Sequence, residues 1–141
     1  MKATLFALFT ALLMVGCGEV VDIDQLQYRG GVMYLPNEET PFTGKAVAKW
    51  PNGQECLEHN YKDGKRNGLY TSWYKNGQKM LEINYKDGKQ DGLSTHWYDN
   101  GQKEAEITYK DGKQDGLWII YNQEGTETGR ETYKNGELVK D

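Results

Sequence analysis

The sequence predicts an all-β fold in which tandem β-hairpins form one elongated, twisted antiparallel sheet. The first observation is a repeat, because the phrase YKDGK occurs at Tyr61, Tyr85 and Tyr109 with a constant period (85 − 61 = 24 and 109 − 85 = 24), and YKNGE follows at Tyr133. A fixed period of this size is typical of repeat architectures. The second observation is composition: 17 glycines, 10 tyrosines and only 37% hydrophobic residues favour many short strands over a helical bundle.

The repeat divides the 141 residues into three parts. Residues 1–16 are predicted to be a signal peptide, and residues 17–36 a modified N-terminus with a lead-in segment. Residues 37–141 are predicted to be a hairpin repeat domain, with atypical terminal units as stacked repeats require. The predicted units are 37–60, 61–84, 85–108 and 109–132, followed by a stub at 133–141.

Each unit contains two strand-like runs separated by an Asn-Gly pair. In the second unit the runs cover residues 69–74 and 79–85, on either side of Asn76 and Gly77. Alternate residues of a strand share a face, and the apolar residues of both runs are mostly odd-numbered. An odd loop length would keep them on one face, so we expect a three-residue loop with Gly77 in the left-handed conformation of a G1 bulge.

The parity of these positions predicts which side chains share a face of the sheet. One face is expected to carry three rows, which are Leu69, Leu93 and Leu117; Trp73, Trp97 and Tyr121; and Ile83 and Ile107. The other face is expected to carry Tyr70, Tyr74, Glu82, His96, Tyr98, Glu106 and Trp118. An apolar face of that size is unusual on a monomer, so the sheet is expected to curl on itself, to pair with a second copy or to meet a partner.

The first 17 residues have the pattern of a secretory signal. Lys2 is followed by an apolar run from Leu5 to Val15, which is too short to span a bilayer. The run ends in LMVGC, which resembles a bacterial lipobox. The resemblance implies cleavage before Cys17, which would then carry a diacylglycerol group and an N-linked acyl chain such as palmitate. The alternative is an ordinary secreted protein with a cysteine at its cleavage site.

Lipid on Cys17 would place the protein in the cell envelope. Several acyl chains on one residue anchor stably, whereas a single chain binds only marginally. Gly18 stands where an Asp would favour inner-membrane retention in the Gram-negative lipoproteins that this signal resembles. The expected location is therefore the outer membrane, facing the periplasm, if the source is Gram-negative.

The repeated unit is similar to the bacterial variant of the MORN (membrane occupation and recognition nexus) repeat. The similarity rests on YKDGK-x-x-G-L followed by W-Y-x-N-G-Q-K, and the segment PFTGKAVAKWPNGQ from Pro41 resembles the leading unit of such proteins. The resemblance implies an array of hairpins that serves as a scaffold. Many bacterial members are labelled as antitoxins, which implies an immunity or antitoxin role as an alternative.

The main functional hypothesis is therefore a membrane-anchored scaffold that binds another protein. Tyr70, Tyr74, Tyr98 and Trp118 are the candidate partner-binding residues, since exposed aromatic side chains contribute strongly to interfaces. A second hypothesis is a protein that neutralises a toxin. A third is a cell-wall glycan-binding module, in which aromatic rings would stack on a sugar or on choline.

Several functional classes are not expected. The net charge is −4, or −4 − 1 = −5 once Lys2 is removed with the signal, and basic residues do not cluster, which argues against nucleic acid. No cofactor or metal is expected, because Cys56 and His59 leave only His96 as a further histidine ligand. No enzyme is expected either, since the recurring Glu82 and Glu106 follow from duplication more simply than from a glycosidase pair.

Overall fold

The structure, a computed structural model, describes residues 19–140, in which strands alternate with tight turns. The strands are β1 (Glu19–Asp22), β2 (Gln27–Arg29), β3 (Val32–Tyr34), β4 (Gly44–Lys49), β5 (Glu55–Lys62), β6 (Lys65–Trp73), β7 (Lys79–Lys86), β8 (Lys89–Trp97), β9 (Lys103–Lys110), β10 (Lys113–Tyr121), β11 (Glu127–Lys134) and β12 (Glu137–Leu138). A single 3₁₀ turn, Ile23–Gln25, follows β1.

Ten of these strands form one long sheet in the order β1-β4-β5-β6-β7-β8-β9-β10-β11-β12. From β4 onward every neighbour is the next strand in sequence and pairs antiparallel, which confirms the predicted sheet of tandem hairpins. The exception is β1, which pairs parallel with β4 so that Val21 lies opposite Ala46. The predicted signal peptide lies outside the described residues.

The Asn-Gly loops have the predicted geometry. In the second unit the amide of Gly77 donates to the carbonyl of Tyr74, and the amide of Tyr74 donates to the carbonyl of Gln78, both at 2.9 Å. Gly77 has a φ of 84°, which is the left-handed region. This is a three-residue loop closed by a G1 bulge, and glycine is required at its third position because a side chain would be strained there.

The prediction that odd-numbered residues of both strands in a hairpin share one face is wrong, because a second bulge follows the loop. Trp73 lies opposite Lys79, but the next residue, Ser72, lies opposite Leu81, so Met80 is an extra residue on β7. One extra residue reverses the side-chain alternation of the rest of the strand. The same extra residue occurs in the other hairpins, at Cys56, Glu104 and Thr128. Because the extra residue recurs at the same position of each of these hairpins, the period of the sequence gives no sign of it.

The sheet consequently has two mixed faces. The rows themselves are as predicted, since equivalent residues of successive units lie on the same side. The leucine face carries Leu69, Thr71, Glu82, Leu93, Thr95, Glu106, Leu117 and Ile119. The isoleucine face carries Ala46, His59, Tyr70, Ser72, Ile83, Ser94, His96, Ile107 and Trp118. Ile83 and Ile107 thus lie opposite to the leucine row, and Glu82 and Glu106 lie beside it.

Hydrogen bonds between successive turns connect the units along both long edges of the sheet. At the Asp-Gly edge, the amide of Gly88 donates to the carbonyl of Arg66 at 2.8 Å, and Gly112 repeats this bond to Gln90. At the Asn-Gly edge, Asn76 Nδ2 donates to the carbonyl of Asp99 at 2.7 Å. The recurring turn residues therefore bind one repeat to the next as well as closing their own loops.

The lead-in segment covers one end of the sheet. Val21, Phe42, Ala46 and Tyr61 form a buried core cluster, against which the lead-in packs Ile23, Leu26, Met33 and Leu35. The small β2–β3 hairpin is joined to the main sheet where the amide of Met33 donates to the carbonyl of Gly64 at 2.9 Å. The apolar end next to β4 is therefore covered from within the chain, whereas the leucine row further along stays exposed.

Candidate functional site

The leucine face presents a regular row of exposed apolar side chains. Leu69, Leu93 and Leu117 are 38%, 45% and 41% exposed, and they stand on every second strand. Neighbouring strands are about 4.8 Å apart, so the row extends over about 20 Å. Ion pairs stand beside it, with Lys79 bound to Glu82 and Lys103 bound to Glu106 at 2.6 Å. An apolar strip rimmed by charges has the composition of an interaction surface.

A cleft of about 390 Å³ opens on the isoleucine face, where the first two Asn-Gly hairpins meet. Its walls are mostly apolar and aromatic, and its rim includes one lysine. The lining residues are Ala48, Trp50, Cys56, Leu57, Tyr70, Ser72, Trp73, Tyr74, Lys75 and Met80. A concave apolar site of this size with a few polar groups can take a side chain or a small molecule.

Two polar atoms in the cleft wall are buried without a hydrogen-bond partner among the described residues. These are the Ser72 hydroxyl and the Trp50 indole nitrogen, Nε1, and Ser72 is only 2% exposed. Lys75 Nζ lies over the Trp50 ring, 5.4 Å from its centroid. A buried donor without an acceptor is costly, so this wall is suited to a ligand that brings an acceptor.

The predicted partner-binding aromatic residues are all partly accessible, but they do different things in the structure. Tyr70 and Tyr74 line the cleft, and Tyr70 stacks on His59 with ring centroids 4.4 Å apart. The hydroxyls of Tyr74 and Tyr98 donate to backbone carbonyls of the next unit, at 2.7 and 2.9 Å. Burial of the Tyr74 hydroxyl raises its pKa. Their roles in partner binding stay predictions, as does lipid on Cys17, which lies outside the described residues.

Trp118 is the fourth predicted residue, and it lies two units away from the cleft. It stands on the isoleucine face beside Tyr133, with ring centroids 5.9 Å apart. Its indole nitrogen is also buried without a partner among residues 19–140. The structure therefore brings Tyr70 and Tyr74 together in the cleft, whereas Tyr98 and Trp118 do not line it.

Sequence reasoning missed the residues that complete the cleft. Trp50, Ser72 and Met80 were not candidates, and Cys56 was considered only as a metal ligand. One signal was present, because Trp50 precedes Tyr74 by one repeat period (74 − 50 = 24) and therefore occupies the same position of its unit. The closeness of Met80 to Trp50 depends on how adjacent hairpins pair and could not be read from the period.

Both recurring glutamates form ion pairs, Glu82 with Lys79 and Glu106 with Lys103. A hydrogen bond from Lys103 holds the pKa of Glu106 below its usual range, and the Tyr121 hydroxyl donates to the same carboxylate at 2.7 Å. A general acid for glycoside cleavage needs a raised pKa, so this environment works in the opposite direction.

Two further kinds of functional feature, a metal-binding cluster and a membrane-spanning helix, are absent among the described residues. Within residues 19–140, no three His, Cys, Asp or Glu side chains come together in a group that could hold a metal ion. None of the helices in the same range has the length and apolar character needed to cross a membrane.

Comparison with known families supports the repeat assignment. No curated protein matches the chain. The family model described as the MORN repeat variant matches residues 66–87 and residues 90–111, two segments whose starts differ by one repeat period (90 − 66 = 24). MORN repeats generally act as non-enzymatic scaffolds for protein or membrane interactions. The predicted resemblance is thus confirmed at two of the repeats, and the described chain is an array of hairpins in which residues 66–87 and 90–111 are MORN repeat variants.

Proposed function

We propose that this chain is an envelope lipoprotein, anchored by lipid on Cys17, whose hairpin array is a scaffold for another protein. The observation that carries the scaffold part is the exposed row of Leu69, Leu93 and Leu117, which two lysine–glutamate ion pairs flank. Removing such a row from water is favourable by roughly 25 cal/mol per Å² of apolar surface. A partner with apolar side chains at a matching spacing would gain this energy at three points of one rigid sheet.

The anchor part of the proposal rests on the sequence from Leu13 to Cys17, which resembles a lipobox. Gly18 after the cysteine favours the outer membrane, with the hairpins facing the periplasm, if the source is Gram-negative. A lipid anchor would hold the sheet near the membrane while leaving both of its faces accessible. An envelope location also fits an immunity protein, which would meet its toxin there, better than a cytoplasmic antitoxin.

The Cys17→Ser variant is expected to move from the membrane to the soluble fraction, because serine offers no thiol for lipid attachment. The measurement is the distribution of the full chain between the membrane pellet and the supernatant after cell lysis. Cys56→Ser is the matched control and should stay in the membrane fraction, since Cys56 lies within β5. A Cys17→Ser variant that still sediments with membranes would contradict anchoring through this residue.

Replacing Leu69, Leu93 and Leu117 together with threonine is expected to abolish capture of a stoichiometric protein partner from detergent-solubilised membranes. Threonine retains strand propensity while removing apolar surface, so the sheet should stay folded. The control is the triple threonine variant of the exposed Val20, Leu138 and Val139, which lie outside the row and should capture the partner normally. Melting curves of both variants confirm that the fold is intact.

The identity of the captured protein then distinguishes the functional hypotheses. If the captured protein is a toxin, and if its capture requires the leucine row, the chain acts as an immunity protein. Capture that is equal in both triple variants would show that the leucine row is not the binding surface. Retention of the chain on peptidoglycan or choline resin, with no protein captured, would favour the glycan-binding hypothesis instead.

A further inference from the structure

The cleft between the first two hairpins differs from the equivalent position one unit later. Met80 on its rim corresponds to Glu104 (104 − 80 = 24), and Lys75 corresponds to Asp99 (99 − 75 = 24). Two acidic residues thus replace an apolar and a basic one. The combination of an apolar wall with a positive rim therefore belongs to this cleft and is not a general property of the repeat.

The polar groups of the cleft include two buried donors and one cation. Ser72 Oγ and Trp50 Nε1 are buried and lack partners within the part of the chain that the structure describes. Lys75 is the charged residue among those that line the cleft, and Trp50 holds its ammonium group near the ring face. The donors and the cation favour an anionic acceptor, and the apolar walls favour an apolar group. A ligand that fits this cleft therefore has both groups close together.

We propose that this cleft binds the C-terminal residue of a partner protein, with its apolar side chain between Trp50 and Tyr70 and its carboxylate toward Lys75 and Ser72. A terminal carboxylate is attached to the same residue as the side chain, which matches a cleft that places donors and aromatic walls within about 390 Å³. This inference rests on the proposed scaffold function and names one feature of the partner. Capture of a C-terminal carboxylate by backbone donors is a known mode of peptide recognition, and this cleft would use side-chain donors in their place.

The test uses N-acetyl-phenylalanine as a probe of the full chain in lipid nanodiscs. The four tryptophans are labelled with 5-fluorotryptophan, and the Trp50→Phe variant identifies the fluorine signal of Trp50. We expect a saturable shift of that signal with the probe. N-acetyl-phenylalaninamide, which has the same side chain but no charge, should bind about tenfold more weakly, because it loses the charge-assisted bond to Lys75.

Met80→Glu is the deciding variant, because Glu104 shows that the repeat accepts glutamate at this position. It should weaken probe binding at least about tenfold by repulsion of the carboxylate. Glu104→Met is the matched control and should not weaken binding, because it removes a carboxylate that acts on the Tyr74 hydroxyl in the cleft wall. Equal binding of acid and amide, unaltered binding to Met80→Glu, no saturable shift, or a Trp50 shift with N-acetylglucosamine instead of the probe would each overturn the inference.

Partner capture by the same variants distinguishes a failure of the cleft as a binding site from a failure of the scaffold function. If the full chain captures its partner and Met80→Glu captures it equally well, the scaffold stands and the cleft is not the contact. If neither protein captures a partner, the scaffold function fails, and the probe titration still decides whether the cleft binds a carboxylate. Loss of partner capture by Met80→Glu, with retention by Glu104→Met, would support both the scaffold function and binding of the partner in the cleft.

Discussion

Gly64→Ala is expected to lower the free energy of unfolding by about 4 kcal/mol. Gly64 has a φ of 72°, and a Cβ added there would lie 2.1 Å from Val32 Cγ1 and 2.7 Å from the carbonyl oxygen of Met33. The backbone of Gly64 also forms the bonds that join the turn to Met33 and Phe42. A methyl group would therefore strain the turn and push the lead-in segment away from the core.

The repeat provides a matched control for this substitution. Gly88 occupies the equivalent turn with a φ of 85°, but an added Cβ would meet nothing closer than Lys65 Cβ at 4.0 Å. Gly88→Ala should therefore carry only the backbone strain, roughly 1–2 kcal/mol. The measurement is urea unfolding of both variants, followed by circular dichroism. Equal losses would contradict the tight packing of the lead-in against Gly64.

The second large effect is a loss of stability on acidification, which depends on His59. This residue is 6% exposed, stacks on Tyr70, and has a pKa lowered to about 4 by burial and by the nearby Arg66. Between the ordinary pKa of 6.5 and about 4, the unfolded chain binds one proton more than the folded chain. Stability is therefore fully present above pH 6.5 and falls as the pH drops toward 4, by at most about 3 kcal/mol.

His59→Phe is expected to remove most of this pH dependence, because phenylalanine retains an aromatic ring against Tyr61 and Tyr70 and cannot be protonated. The measurement is the free energy of unfolding at a series of pH values between 7 and 4. A smaller slope of the same sign should remain, since burial also lowers the pKa of His96. An unchanged slope in the variant would show that His59 is not the group responsible.

Local signals in the sequence were sufficient to predict the hairpins. The run from Leu69 to Tyr74, the Asn-Gly break and the constant repeat period predicted both the strands and the three-residue loop, and the hydrogen bonds of Gly77 confirm them. The predicted sharing of faces is wrong because each of these hairpins has one extra residue, which is Met80 in the second unit. A bulge depends on the fit between two strands and leaves no mark in a pattern that every repeat shares.

The candidate site was predicted only in part. Tyr70 and Tyr74 were named from their aromatic character, and both line the cleft. The cleft itself also needs Trp50 from the first hairpin. The donors that lack a partner among residues 19–140 become apparent only when the burial of each atom is known. A side chain's neighbours across strands depend on register, so a sequence pattern can list the candidates without placing them together.

By itself, the sequence determined the hairpins, their loops, their order and the rows of equivalent residues, because these depend on short-range chain geometry that recurs with every repeat. The tertiary structure alone decided which rows share a face, how the lead-in covers one end, and where the cleft opens. These features arise from bulges and contacts between separate hairpins, whose energies depend on the packed arrangement and not on the period of the chain.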